Sequence, residues 1–196
     1  MSLSAFHMRR AAAKSALQAA RRLRLNDAAA LRTAPVAIGI VLFALRRNSA
    51  SLLAPGGLRY ALKHCREDVL HDTRRLGAAD VRARGAAIFQ HVMGRHGDRA
   101  VAAVAKRAGT DHKRAREFLA ICAAAVASAL SATKRELNLT TGQTLGVLIS
   151  EAAMMDNADP GLIRNVRDWV CRPSFLIRLL QKLTPAPLVR AAIPLV

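Results

Sequence analysis

The chain has 196 residues, 52% of them apolar but only 4% aromatic, with 31 basic against 13 acidic residues and a net charge of +18. So large an apolar share excludes a disordered chain, and so large a positive charge opposes self-association and favours anionic partners such as nucleic acid or acidic lipid. A β-rich fold is excluded as well, because no stretch alternates β-branched and polar residues between turn signals, whereas alanine, the best helix former, dominates the apolar fraction.

The first predicted element is a basic amphipathic helix from near Met8, with Ala13, Ala16, Leu17, Ala20 and Leu23 on one face and Arg10, Lys14 and Arg21 on its flank. The charge is graded toward this end: residues 1–50 hold nine Lys or Arg and one acid, Asp27. Residues 1–25 also have the composition of an organellar transit peptide, but a basic helix of the mature protein is the preferred reading. Its apolar face, alanines and two leucines, is too weak for deep burial in lipid, which disfavours an anionic membrane surface as the partner.

Asn26 or Asp27 offers an N-cap for a strongly apolar helix running to about Arg47, which Pro35 should kink or restart. The apolar run Thr33 to Leu45 is about a dozen residues, short of the roughly 20 that a membrane span needs, so no transmembrane segment is expected. Pro55-Gly56-Gly57 marks a loop, and a helix beyond it carries Leu58, Ala61, Leu62 and Cys65. After the punctuation at Leu76 to Asp80, a helix through Ile88, Phe89, Val92 and Met93 stops at Gly94. A short helix over 98–108 is broken at Gly109-Thr110-Asp111, and the longest helix follows, from about His112 to Lys134. Thr140 and Gln143 form a capping box that opens a helix to about Met155. Asp159-Pro160 and Thr184-Pro185 are further helix starts, and the tail with Leu188, Val189, Ile193, Leu195 and Val196 is apolar enough to pack against something.

At an offset of 85 residues the chain aligns with itself without a gap. Ala20-Arg21-Arg22 faces Ala105-Lys106-Arg107, Asn26 faces Asp111, Ala30 faces Ala115, Gly39 faces Ala124, and Gly57 faces Gly142. Each unit reads as a basic helix, a polar cap, a long apolar helix, a glycine loop and another helix. The expected architecture is therefore a compact all-α domain over residues 1–155, with pseudo-repeats at about 15–65 and 100–150, and a helical extension over 156–196. Such a repeat makes Arg21-Arg22 part of the fold.

The stretch Ile88 to Gly94, the run Val101-Ala102-Ala103-Val104-Ala105 closing on Ala108-Gly109, and Phe118-Leu119-Ala120 with Val126 and Ala129-Leu130 resemble the YidB-like family of bacterial helical proteins. The chain is more Arg-rich than that family and extends past Met155. The resemblance implies an all-helical fold with a homeodomain-like element, no catalytic activity and no known ligand.

The most specific local pattern is a helix-turn-helix, with Ala105, Gly109 and Ala115 at its small-residue, turn and second-helix positions and Val104, Ala108 and Phe118 as apolar supports. His112, Lys113 and Arg116 are then the residues that would face a groove, while Lys106, Arg107 and Arg114, with Arg21 and Arg22 of the first unit, would reach phosphates. The alternative is structural: the second helix stays apolar beyond its first turns, as a core helix does. His64 and His71 share a helical face beside Cys65, without the further ligand a metal site needs. His91 reads as a capping or core histidine. Cys65, Cys122 and Cys171 lack a CxxC spacing or an identifiable base, so free thiols in a reducing, cytoplasmic setting are expected, without cofactor, metal or enzymatic activity. Glu151, Asp156 and Asp159 form an acidic knot in which Asp159 is explained by capping. The function expected is a non-enzymatic protein binding nucleic acid or another polyanion, and the alternative is a scaffold engaging a protein partner through its apolar C-terminal tail.

Overall fold

In a computed structural model of the protein, the described residues are 3–50, 56–65, 75 and 78–158, with side chains described for 12–49, 56–65, 75 and 78–155. Every regular element among them is helical, as the alanine content requires: α1 (Leu3–Arg22), α2 (Asp27–Ala50), α3 (Gly56–His64), α4 (Ala79–Met93), a 3-10 turn (Gly94–His96), α5 (Gly97–Ala108), α6 (His112–Glu136) and α7 (Thr141–Ala158). Of the expected extension over 156–196, residues 156–158 continue α7, and the rest, with the apolar tail and the Asp159-Pro160 and Thr184-Pro185 starts, lies outside the described residues, as do His71 and Cys171.

α6 is the axis of the fold. Each residue from Phe118 to Leu130 is buried, and the helix packs against α1, α2, α4 and α5. Small side chains make that crowding possible. Arg82 of α4 pairs with Glu117 at 3.9 Å, and Gly85 lies against Ala120 and Ala124, so α4 runs alongside α6 in the same direction. A Cβ added at Gly85 would collide with the Ala120 carbonyl oxygen. α1 likewise buries Ala12, Ser15, Ala16, Ala19 and Ala20, while Ala13, Leu17 and Leu23 are only half-buried. The buried stripe is thus rotated from the one expected around Leu17, because a close crossing selects the smallest residues rather than the most apolar ones. Phe43, Phe118, Ile40, Leu42 and Leu45 fill the remaining space; burying each such side chain contributes about 1.5–3 kcal/mol.

Two sequence expectations about α2 change. The helix is continuous through Pro35, whose exposed ring faces away from the core. With 24 residues it is also longer than the apolar run suggests, and α2 and α6 are both long and apolar enough to cross a membrane by length and composition. Their apolar windows are 78% and 83% covered by the rest of the fold, as in core helices.

Two pairs of helix starts fall 85 residues apart. α2 opens at Asp27 and α6 at His112; α3 opens at Gly56 and α7 at Thr141. Arg24 and Gly109 both have positive φ, 54° and 61°. The N–H of Leu25 donates to the Ala20 carbonyl at 2.9 Å, and that of Thr110 to the Ala105 carbonyl at 3.1 Å. Both are the reversed hydrogen bonds that close a helix on a left-handed residue. Past each turn a polar side chain caps the long helix: Asn26 Oδ1 accepts from the Ala28 N–H at 2.9 Å, and Asp111 Oδ1 from the Arg114 N–H at 2.8 Å. The capping box is reciprocal, with Thr140 N–H donating to Gln143 Oε1 at 2.8 Å and Gln143 N–H to Thr140 Oγ1 at 3.2 Å.

Candidate nucleic-acid interface

The two turns, Leu23 to Asn26 and Gly109 to Asp111, stand at one end of the molecule. Arg107, in the last turn of α5, donates from Nε to the carbonyl of Arg32 in the second turn of α2 at 3.0 Å. Six residues of helix separate Arg32 from the Asn26 cap, about 9 Å of rise, so the bond brings the second turn beside the first. Pro35, one turn beyond Leu31, lacks the N–H that would donate to the Leu31 carbonyl, so the carbonyl beside this contact is without its helical donor.

The residues on which the sequence pattern around Gly109 rests divide into buried supports and exposed cations. Ala105, Ala115, Val104, Ala108 and Phe118 are buried, and Gly109 takes the left-handed turn. His112, Lys113, Arg114 and Arg116 are exposed on the first turns of α6, Lys106 and Arg107 on the last turn of α5, and Arg21 and Arg22 on the last turn of α1. Not all of these cations are equivalent. Arg116 reaches back to Asp98 at 2.8 Å, Arg114 pairs with Asp111 at 3.5 Å, and Arg21 pairs with Asp27 at 3.1 Å. With Glu117 engaged by Arg82, each acid around the turns already has an arginine. Arg22, Arg24, Arg32, Lys106 and Lys113 make no ion pair among the described residues and are exposed; Arg107 donates to the Arg32 carbonyl.

The electrostatics of the end follow. Asp111 has its carboxyl held below the ordinary aspartate value, chiefly because the Arg114 N–H donates to the charged form. Exposed pairs such as Arg116 with Asp98 contribute about 1 kcal/mol or less, so a phosphate could exchange for the carboxylate at little cost. Sequence reasoning missed Arg24 and Arg32, although the lack of nearby acids before Asp27 was a legible signal.

Elsewhere the chemistry is sparse. Cys122 is fully buried and burial pushes its thiol far up; Cys65, half-buried, donates from Sγ to the Leu62 carbonyl at 3.1 Å, and burial also raises it. Neither thiol is poised as a thiolate. His91 is not the core or capping residue expected: it is exposed and stacks on Tyr60, with ring centroids 4.1 Å apart, while His64 leans on the same tyrosine at 4.2 Å. Glu151, of the acidic knot read in the sequence, is fully buried in α7. No group of three metal-binding side chains occurs among the described residues.

Residues 8–133 match a protein-family model described as a bacterial protein of unknown function (DUF937). No curated protein and no solved structure matches the chain.

Proposed function

As a member of the bacterial DUF937 family of unknown function, to which the match over residues 8–133 shows that it belongs, this chain is, we propose, a non-enzymatic protein that binds nucleic acid through the basic end formed by its two turns. The observation that carries the reading is the surplus of exposed cations there: Arg22, Arg24, Arg32, Lys106 and Lys113 are left over after the acids of that end have each taken an arginine. A phosphodiester backbone supplies the missing negative charge and releases its own counterions on binding.

The helix-turn-helix built from α5 and α6 presents the interface without serving as a groove reader along its length. Since α6 is buried from Phe118 to Leu130, the part of it that this end offers to a duplex is its first turns, with His112, Lys113, Arg114 and Arg116. Contacts of that kind position a protein on phosphates and carry little sequence information. The matching turns at Arg24 and Gly109 support a duplicated unit, of which the α1–α2 turn is the first copy. The YidB-like resemblance and a cytoplasmic location complete the reading.

Fluorescence anisotropy with a labelled random-sequence duplex, titrated against salt, tests it. Micromolar or tighter binding is expected, with log affinity falling linearly in log salt, and K106A/K113A should lower the slope by about two, near one per phosphate contact removed. An absence of binding at about 50 mM salt would sink the proposal and turn the search toward a protein partner.

A further inference from the structure

We propose that Arg24 is a phosphate-binding residue, kept at a turn position where its backbone is strained. The inference rests on the nucleic-acid reading above and adds a residue that the helix-turn-helix pattern does not contain.

The turn that closes a helix on a left-handed residue normally takes glycine or asparagine, because any other side chain crowds its own carbonyl there. The protein follows that rule at its other such sites: Gly109 closes α5, and Asn138, with φ of 49°, closes the link after α6. Arg24, with φ of 54°, is the exception. The conformation is imposed from both sides, since the Arg24 N–H donates to the Arg21 carbonyl at 3.0 Å and Leu25, buried, donates to Ala20. The arginine side chain returns nothing to the fold. It is exposed and makes no hydrogen bond or ion pair among the described residues. A glycine would close α1 as Gly109 closes α5, with less strain.

What the arginine adds is a guanidinium at the rim of the basic end, between Arg22 and the capping residue Asn26 and on the chain that leads to Arg32. A planar donor fork that is always charged suits a phosphate oxygen pair. The partner that fits is the phosphodiester backbone of a nucleic acid, met by both turns at once.

The test compares wild type, R24G and R24K by thermal denaturation and by anisotropy with a labelled duplex of about 20 base pairs, between about 50 and 200 mM salt. R24G should raise Tm by about 2–4 °C by relieving the strain. It should also weaken binding about two- to fivefold and lower the salt slope by about one. R24K keeps the charge but not the planar fork, so it should retain the wild-type salt slope while binding more weakly than wild type and more tightly than R24G. If R24G raises Tm with affinity and slope unchanged, Arg24 is no contact and the inference fails while the nucleic-acid reading stands. A lowered Tm would make the side chain structural and overturn the inference equally. Absence of binding by wild type would remove both.

Discussion

Gly85 sits in the interior of α4, where replacement by alanine should by propensity alone stabilise the helix by about 1 kcal/mol. The packing predicts the opposite sign. A Cβ at this position falls well inside contact distance of the Ala120 carbonyl oxygen and 3.2 Å from the Ala124 Cβ. Both belong to the central helix and cannot rotate aside, so α4 and α6 must part locally by roughly 1 Å. A gap of that size forfeits about a quarter to a half of the dispersion well at each atom pair it separates. Overpacking of this kind costs about 1–3 kcal/mol, and here it acts on the backbone at the most crowded crossing. A net loss of about 2 kcal/mol, or about 4–8 °C in Tm, is therefore expected for G85A. Gly146, in α7, provides the control: nothing lies within 4 Å of its added Cβ, and G146A should stabilise by up to about 1 kcal/mol. Urea unfolding followed by circular dichroism, with unchanged m-values, measures both. A G85A protein as stable as wild type would refute the close approach of α4 to α6 on which the fold description depends.

Two other outcomes can be checked in the same assays. D111A removes the side-chain cap of α6 and should lower Tm measurably at pH 7. Because the folded state holds the Asp111 carboxyl below its ordinary value, its contribution is complete above about pH 4 and lost as pH falls through the lowered value. The Tm difference between wild type and D111A should accordingly shrink on acidification, and a difference constant down to pH 2 would exclude the cap as its source. Cys122, fully buried and held protonated, should resist iodoacetamide in the native protein and react only on unfolding. Peptide mapping that finds it alkylated within minutes under native conditions would contradict its place in the core.

The sequence by itself determined what depends on neighbours three or four residues apart. The helical class follows from alanine content. The capping box at Thr140 and Gln143, the caps at Asn26 and Asp111, and the stop at Gly109 are local hydrogen-bonding or steric requirements, so their positions could be read without knowing what packs against them. Arg21, Arg22, Lys106, Arg107 and Lys113 were legible as exposed cations for the same reason: a charged side chain is rarely buried. Tertiary structure decided the remainder. Alanine faces on α1 differ too little in hydrophobicity to announce which one is buried, so the crossing with α6 chose Ala12, Ser15, Ala16, Ala19 and Ala20. Pro35 reads as a breaker, yet α2 continues because its neighbours hold both halves in the core. The stacking of His91 on Tyr60 and the burial of Glu151 depend on elements far away in the chain. Most consequential is the bond from Arg107 to the Arg32 carbonyl, across 75 residues, which sets two basic turns side by side. No periodicity encodes that contact; it exists because each long helix starts at the same end of the core, and that is a property of the packing alone.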